Sequence, residues 1–596
     1  MLNVRGKEMG SAGIRRAERA QKRETRELGV LNARGNGKYM ERTKTICRNF
    51  ICPLVLLLLP LRHIAQGIDI SDTGYNLACF AWFGRLDGMW VYVTYLANAV
   101  GHLFTYLPMG GTMLGMNLYC SLVVSLTALL AWYFLRDKIP PFFVFAGEVL
   151  AILLCWCPHV ILYNYLTYLA LLAGTVLLYR GIVGNRKSFY VAAGFVLGLG
   201  VGARFSNLTH MALILGLWYD GFLKKRKASA VALDTAYCIA GYAAGIGAFL
   251  LMIQATYGLG GYFTMLFGLQ AMSSGASGYS AGEMIAGAFI DYLGSMRWGV
   301  LFLLYMAAGV LLFRLGGGKL RIAKKAVFTA GLAVLLRFVY GRGMFGFDYN
   351  VYFSIFWWVS LFNTAALVTN AAALFRKDTD DQEKLLALLV LVTILILPLG
   401  SNNRSYPVIN DLFLIAPATL YFINRFLPKS WPVRTVAAGC LIMLAVQSIG
   451  FGTVFVFRDG SFTEKRDTKV ENNGILKGMY TTKANAESLE EITQFWEEED
   501  FAGTPVILYG DIPGLSYLLE APSAITSTWA NLESYNMTFW ERDFAEVESR
   551  IDTERPVVMT GNDYTPIDEK AELLQAFLER NGYEQVFWNA KVTVYY

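Results

Sequence analysis

Apolar runs of roughly 17 to 25 residues recur between positions 49 and 457, each long enough to cross a hydrocarbon core of about 30 Å as a helix. About thirteen such runs can be counted on that criterion. Beyond position 457 the pattern changes. A helical period covers 484–499, a strand pattern 505–509, a turn 510–514, a second strand 556–560, a helix 567–581, and two more strands 585–588 and 591–596. That order predicts a small sheet with flanking helices. Residues 1–48 carry many Arg, Lys, Glu and Gly and no apolar period, which predicts a disordered basic tail.

Composition agrees: 55% of residues are hydrophobic, 14% aromatic and only 16% charged, as in an integral membrane protein. More than half of the 46 acidic residues but under a quarter of the 52 basic ones lie beyond position 457. The chain is therefore divided into a tail (1–48), a multi-span region (49–457) and a separate α/β domain (458–596).

Lys and Arg cluster at 15–48, 136–138, 180–187, 224–227, 314–325, 376–377 and 425–434, alternating with connections that hold few of them. Basic connections stay in the cytoplasm. The expected arrangement has a cytoplasmic N-terminus, a multi-pass chain in the cell membrane and an extracytoplasmic C-terminal domain. The basic tail reads as a topology signal that touches anionic lipid, not as a nucleic-acid arm. All eight cysteines precede the C-terminal domain, so no disulfide framework is expected there, and this usage fits a bacterial plasma membrane. Cys155 and Cys157 form a CWC on an apolar stretch with no His or acid beside it, which reads as packing. Four His residues in the whole chain, and no P-loop, HExxH or GxSxG, exclude the common soluble chemistries.

The informative polar group is GIDISDTGYN at 67–76, directly after the first apolar run. Carboxylates beside a membrane are costly unless water, a partner or a reaction uses them. Asp72 is the first choice for an acid/base residue and Asp69 the second; Asp72 is also placed to cap the helix that begins there. The following segment, 75–106, is too aromatic and too interrupted by polar residues for a plain span, which predicts interfacial helices roofing a lateral cleft. Tyr75, together with His159, Asn164 and Tyr165 from the second outward connection, is expected to line that cleft. Three isolated outward arginines, Arg204, Arg342 and Arg404, could each hold a lipid phosphate with the guanidinium fork; the alternative is that each snorkels or pairs with Asp348 or Asp411. Glu148, within an apolar run, reads as a structural or snorkelling acid. The Gly- and Ser-rich stretch 257–291 suits a mobile cover, and Asp511 sits in a turn after a strand.

Together, the DISDTGY loop, the interfacial helices after it, about a dozen spans and an outward α/β tail resemble the GT-C superfamily of glycosyltransferases, in particular bacterial membrane enzymes of the protein-mannosyltransferase and aminoarabinose-transferase kind. The resemblance implies a sugar donor on a polyprenyl phosphate or pyrophosphate, an unidentified extracytoplasmic acceptor, and a first-loop aspartate as base, here Asp72. The second outward loop lacks the further acid that the family often carries. The DxxD spacing of Asp69 and Asp72 also argues against a divalent metal, so no cofactor is expected. The rival reading is a polytopic transporter or lipid flippase, which would show repeated halves; none is visible.

Overall fold

The computed structural model describes residues 41–155, 158–274, 281–315, 320–344, 353–400, 403–461, 463–532, 534–563 and 568–596. The tail up to residue 40, Cys157, Asp348 and the centre of the Gly/Ser-rich stretch lie outside the described residues. Two units emerge, residues 1–56 and 57–596. The first contains a π-helix, Cys47–Ile51.

The protein is mostly helical. Among the described residues seven helices are long and apolar enough to cross a membrane: Glu41–Leu61, Met113–Leu135, Leu162–Gly184, Ala228–Thr256, Gly282–Arg314, Ile355–Phe375 and Trp431–Val454. Other apolar runs fold as shorter helices, among them Pro141–Leu154, Lys187–Gly200 and Asp381–Ile396. The central helices Met113–Leu135 and Leu162–Gly184 are 61% buried, whereas Gly282–Arg314 is 17% buried and presents apolar side chains outward, as a lipid-facing helix does.

Two helices are held together by glycine. A Cβ on Gly194 or Gly198 would come within 2.0 or 2.1 Å of a carbonyl oxygen of Cys238 or Tyr242; on Gly241 or Gly245 it would lie 2.0 or 2.3 Å from those of Val191 or Phe195. Lys187–Gly200 and Ala228–Thr256 therefore touch backbone to backbone, through glycines spaced four apart on both helices. The first helix stops at Gly200, Arg204 is extended, and a ten-residue 3-10 helix, Phe205–Ile214, follows. Asn207 donates from one nitrogen to Gly200 O and to Thr167 Oγ1, both at 2.8 Å, and Leu96 N donates to Gly202 O, so backbone groups released by the break are satisfied inside the protein.

After the first loop come three short helices, Asp72–Ala81, Met89–Val93 and Tyr95–Thr105, where the aromatic composition placed interfacial helices. Glu148 neither reaches an edge nor finds a partner: it is fully buried, and neither carboxylate oxygen has a hydrogen-bond partner among the described residues.

The C-terminal segment builds a four-stranded sheet from β1 (Val506–Tyr509), β2 (Val557–Gly561), β3 (Gln585–Trp588) and β4 (Val592–Tyr595), in the order β1-β2-β4-β3. β1 and β2 are parallel; the other two pairings are antiparallel. Lys483–Glu498 and Asp568–Arg580 form where helical periods were read. Met537–Glu548, capped by Asn536, joins them, and Trp540, Phe544 and Phe577 close a core on the sheet. The segment docks on the first loop. Gly67 N donates to Tyr480 O, Gly514 N donates to Ile70 O at 2.7 Å, and Asn485 donates to Ile68 O.

Candidate functional site

The loop Gln66–Ser71 turns into the helix Asp72–Ala81, and its geometry is set by Asp69. The buried carboxylate of Asp69 accepts from Ser71 N (2.9 Å), Ser71 Oγ (2.5 Å) and Thr73 N (2.7 Å), while its carbonyl accepts from Gly74 N. Asp69, not Asp72, therefore satisfies the free amides at the start of this helix. Asp72 occupies the first helical position with its carboxylate turned outward and about a third exposed.

One close approach fixes the helix against the C-terminal segment. A Cβ on Gly74 would lie 2.3 Å from the Cα of Gly514, and one on Gly514 would lie 2.7 Å from Ile70 O and 2.8 Å from Gly74 Cα. The glycine of DISDTGYN and the glycine of GDIPGL are thus packed backbone on backbone. The contact brings Asp511, in the turn after β1, to the same place as Asp72. Between them stands Arg458: its Nη1 donates to Ser71 Oγ at 2.9 Å and lies 3.4 Å from Asp72 and 3.7 Å from Asp511. Burial, and then the neighbouring Asp69, push the Asp72 carboxyl up to about 6, with Arg458 opposing the rise and Asp511 adding to it.

Asp72 lies on the wall of a cavity of about 830 Å³. Tyr75 and Asn76 of the same helix share that wall, Tyr163 and Arg204 face it, Leu266, Phe267 and Met284 give it an apolar side, and Trp529 of the C-terminal segment stands against Tyr75 with ring centroids 5.5 Å apart. Arg204 is held by Asn164, whose Oδ1 accepts from Nη1 at 3.2 Å, and it lies over the Tyr163 ring. No carboxylate lies within ion-pair distance of Arg204 among the described residues. The cavity therefore contains a base candidate, a guanidinium without an anionic partner and an apolar flank.

The other residues named from sequence fall elsewhere. Arg342 ends the helix Arg321–Gly341 with its guanidinium over the Phe338 ring, away from this cavity. Arg404 is paired at 2.7 Å with the buried Asp291, which also accepts from Ser405 N and Oγ. His159 and Tyr165 line a separate space of about 70 Å³ behind the first loop, next to Asp69 and Thr73. There His159 Nδ1 meets Ser121 Oγ at 3.0 Å and the Tyr165 hydroxyl donates to Pro158 O.

Arg458, Trp529 and Arg62 went unread in the sequence. Arg458 carries the signal that drew attention to Arg204, an isolated arginine beside a connection on the outward side. Arg62 donates to Gly452 O, Leu59 O and Ile152 O, at or near the carboxyl ends of Trp431–Val454, of the 3-10 turn Leu59–Leu61 and of Pro141–Leu154. It meets the negative ends of their dipoles. Among the described residues no group of three or more His, Cys, Asp or Glu is arranged to hold a metal ion.

Compared as a sequence, the chain matches no protein-family model and no curated protein. Compared as a structure, it is similar to the oligosaccharyltransferase of Archaeoglobus fulgidus, solved in complex with Zn and sulfate. The superposition has a TM-score of 0.44 and 11% identity, and covers 86% of this chain and 68% of that one.

Proposed function

We propose that this chain is a membrane glycosyltransferase of the GT-C kind, which moves a hexosyl group from a polyprenyl-phosphate donor to an extracytoplasmic acceptor with Asp72 as base. The observation that carries the reading is one cavity holding both Asp72 and a guanidinium, Arg204, that has no anionic partner among the described residues, beside an apolar flank. A lipid-linked sugar phosphate needs those three things: a base, a phosphate partner and room for the first isoprene units. At about 830 Å³ the cavity falls within the roughly 300–1,000 Å³ of small-molecule sites.

In the reaction, an acceptor hydroxyl attacks the anomeric carbon as Asp72 takes its proton. The bond from that carbon to the phosphate oxygen breaks, and the phosphate leaves with the electron pair, stabilised by Arg204 through paired N–H donors. Asn164 and the Tyr163 ring hold Arg204 in place, and Asp69 sets the start of the helix from which Asp72 projects. Each step uses this chain's own side chains.

The test is label release from a panel of radiolabelled polyprenyl-phosphate sugars, with anionic sugars, neutral sugars and a serine-containing peptide supplied as acceptors and with purified wild type and Asp72→Asn side by side. Release that depends on Asp72 supports the transferase and identifies the donor sugar. No release from any donor by a folded protein overturns it in favour of transport.

A further inference from the structure

At the carboxyl ends of β1 and β2 the protein opens a second cavity, of about 200 Å³. Its floor is the first loop, Ile68 to Ser71, and its other wall carries Arg458, Asp511, Asp563 and Lys591. Chain topology accounts for the gathering. Asp511 follows β1 and Asp563 follows β2, two parallel strands that end at the same sheet edge. Lys591 directly precedes β4, which runs antiparallel to β2 with Gly561 opposite Val592, so its start lies at that edge as well. Asn562 N donates to Lys591 O at 2.9 Å and fastens the two ends side by side. The carboxyl edge of parallel strands is where α/β sheets commonly take ligands.

The charges in this cavity are incompletely matched. Neither Lys591 nor Asp563 forms an ion pair among the described residues, although both line the same space. Arg458 is the wall shared with Asp72: the guanidinium that lines this cavity lies 3.4 Å from the Asp72 carboxylate, whose helix borders the larger cavity on its other side. A ligand complementary to the space needs an anionic group for Lys591 and Arg458, and hydroxyl donors for Asp511 and Asp563. The lining holds three carboxylates, Asp69, Asp511 and Asp563, against Arg458 and Lys591. Asp69 already accepts from Ser71 and Thr73, and Arg458 lies between Asp72 and Asp511, so a neutral ligand leaves the Lys591 ammonium without a counter-charge. The volume equals about seven waters at roughly 30 Å³ each, the scale of one sugar unit.

We propose that this cavity is the acceptor subsite, and that the acceptor is a sugar carrying a phosphate or carboxylate group. This rests on the transferase reading above and supplies its second substrate. The acceptor's anionic group engages Lys591 and draws Arg458 away from Asp72, which frees the Asp72 carboxylate as the acceptor hydroxyl arrives beside it. The base is thereby released by the molecule whose proton it takes, so water, which lacks the anion, is a poor competitor.

The experiment measures binding of glucose 6-phosphate, glucuronate, glucose and a serine-containing neutral peptide to the full chain in nanodiscs, by saturation-transfer NMR. Wild type is compared with Lys591→Ala and Asp563→Asn, both changes at the cavity rim. Expected is binding of at least one anionic sugar about tenfold or more tighter than glucose, with that preference abolished by Lys591→Ala; the two anionic probes distinguish a phosphate from a carboxylate source. Equal binding of glucose and the anionic sugars, an unchanged preference in Lys591→Ala, or preferential binding of the peptide overturns the proposal. Donor label release is read on the same preparations. Release without anionic-sugar binding overturns the subsite and leaves the transferase standing. Anionic-sugar binding without release overturns the transferase and, with it, the acceptor role, and leaves only an anionic-sugar site.

Discussion

Replacing Gly74 by alanine tests the contact on which the site depends. The new methyl would sit 2.3 Å from the Cα of Gly514, whereas ordinary contact begins at 3.4 Å, so helix and turn must part by about 1 Å. No flexible side chain is available to yield, because the opposing atom is backbone. The Gly514 N to Ile70 O bond, 2.7 Å long, would stretch beyond bonding distance, and Arg458 would lose its hold on Ser71 and Asp72. Overpacking of this kind costs about 1–3 kcal/mol in stability, and a displacement near 1 Å at a reacting group costs on the order of a hundredfold in rate. Thermal unfolding followed by tryptophan fluorescence, together with donor label release, measures both. Gly514→Ala should behave alike, and the double variant should fall short of the summed effects because both methyls strain one contact. Gly111→Ala is the control, since no atom lies within 4 Å of its added Cβ. Wild-type turnover and an unchanged Tm for Gly74→Ala would refute the argument that this glycine pair sets the position of Asp72.

Asp72→Asn should abolish transfer with no loss of thermal stability at pH 7. A carboxyl raised on folding from 3.8 to about 6 binds its proton more tightly in the native state, so ionising it removes stability as pH rises across that window, and the amide avoids this. In the wild type kcat/KM should fall below about pH 6 as Asp72 gains its proton, and Arg458→Ala should move that limb to higher pH by removing the charge that holds the carboxyl down; a pH–rate profile checks both. Arg204→Ala should weaken donor binding by about tenfold or more, whereas Arg404→Ala should lower Tm and leave donor affinity unchanged, because it strips the buried Asp291 of its partner. Arg62→Ala should destabilise by about 2–4 kcal/mol, read by thermal unfolding, since three carbonyls at helix ends lose one charged donor.

The C-terminal strands were legible because their apolar runs are short and bounded by turn residues; β3 spans Gln585–Trp588, the same residues as the expected strand. The first-loop helices were legible from aromatic and polar residues too mixed for a span. Less visible was which apolar runs continue as one long helix. The stretch from Lys187 to Leu223 is apolar enough to read as spans, yet it breaks at Arg204 into an α-helix, a 3-10 helix and another α-helix. The glycines that let its first part pack so closely say nothing of where it ends. That break puts Arg204 in the cavity, while Arg342 and Arg404, equally isolated in sequence, lie at a helix end and on a buried acid. The meeting of Gly74 with Gly514 had no local signal at all, because a close backbone approach between distant segments leaves no period in either.

The sheet order has a consequence for the timing of assembly during synthesis. β4, central in the sheet, is formed by residues 592–595, and Lys591 stands directly before it. A ribosome has therefore released every described membrane helix before it supplies the strand that lets β2 and β3 join. Until then the turn carrying Gly514 lacks a finished sheet behind it, and the Asp72 helix has no firm surface to rest against. On the transferase reading, a nascent chain with every described membrane helix in place still lacks a complete site until residues 592–595 pair with β2 and β3.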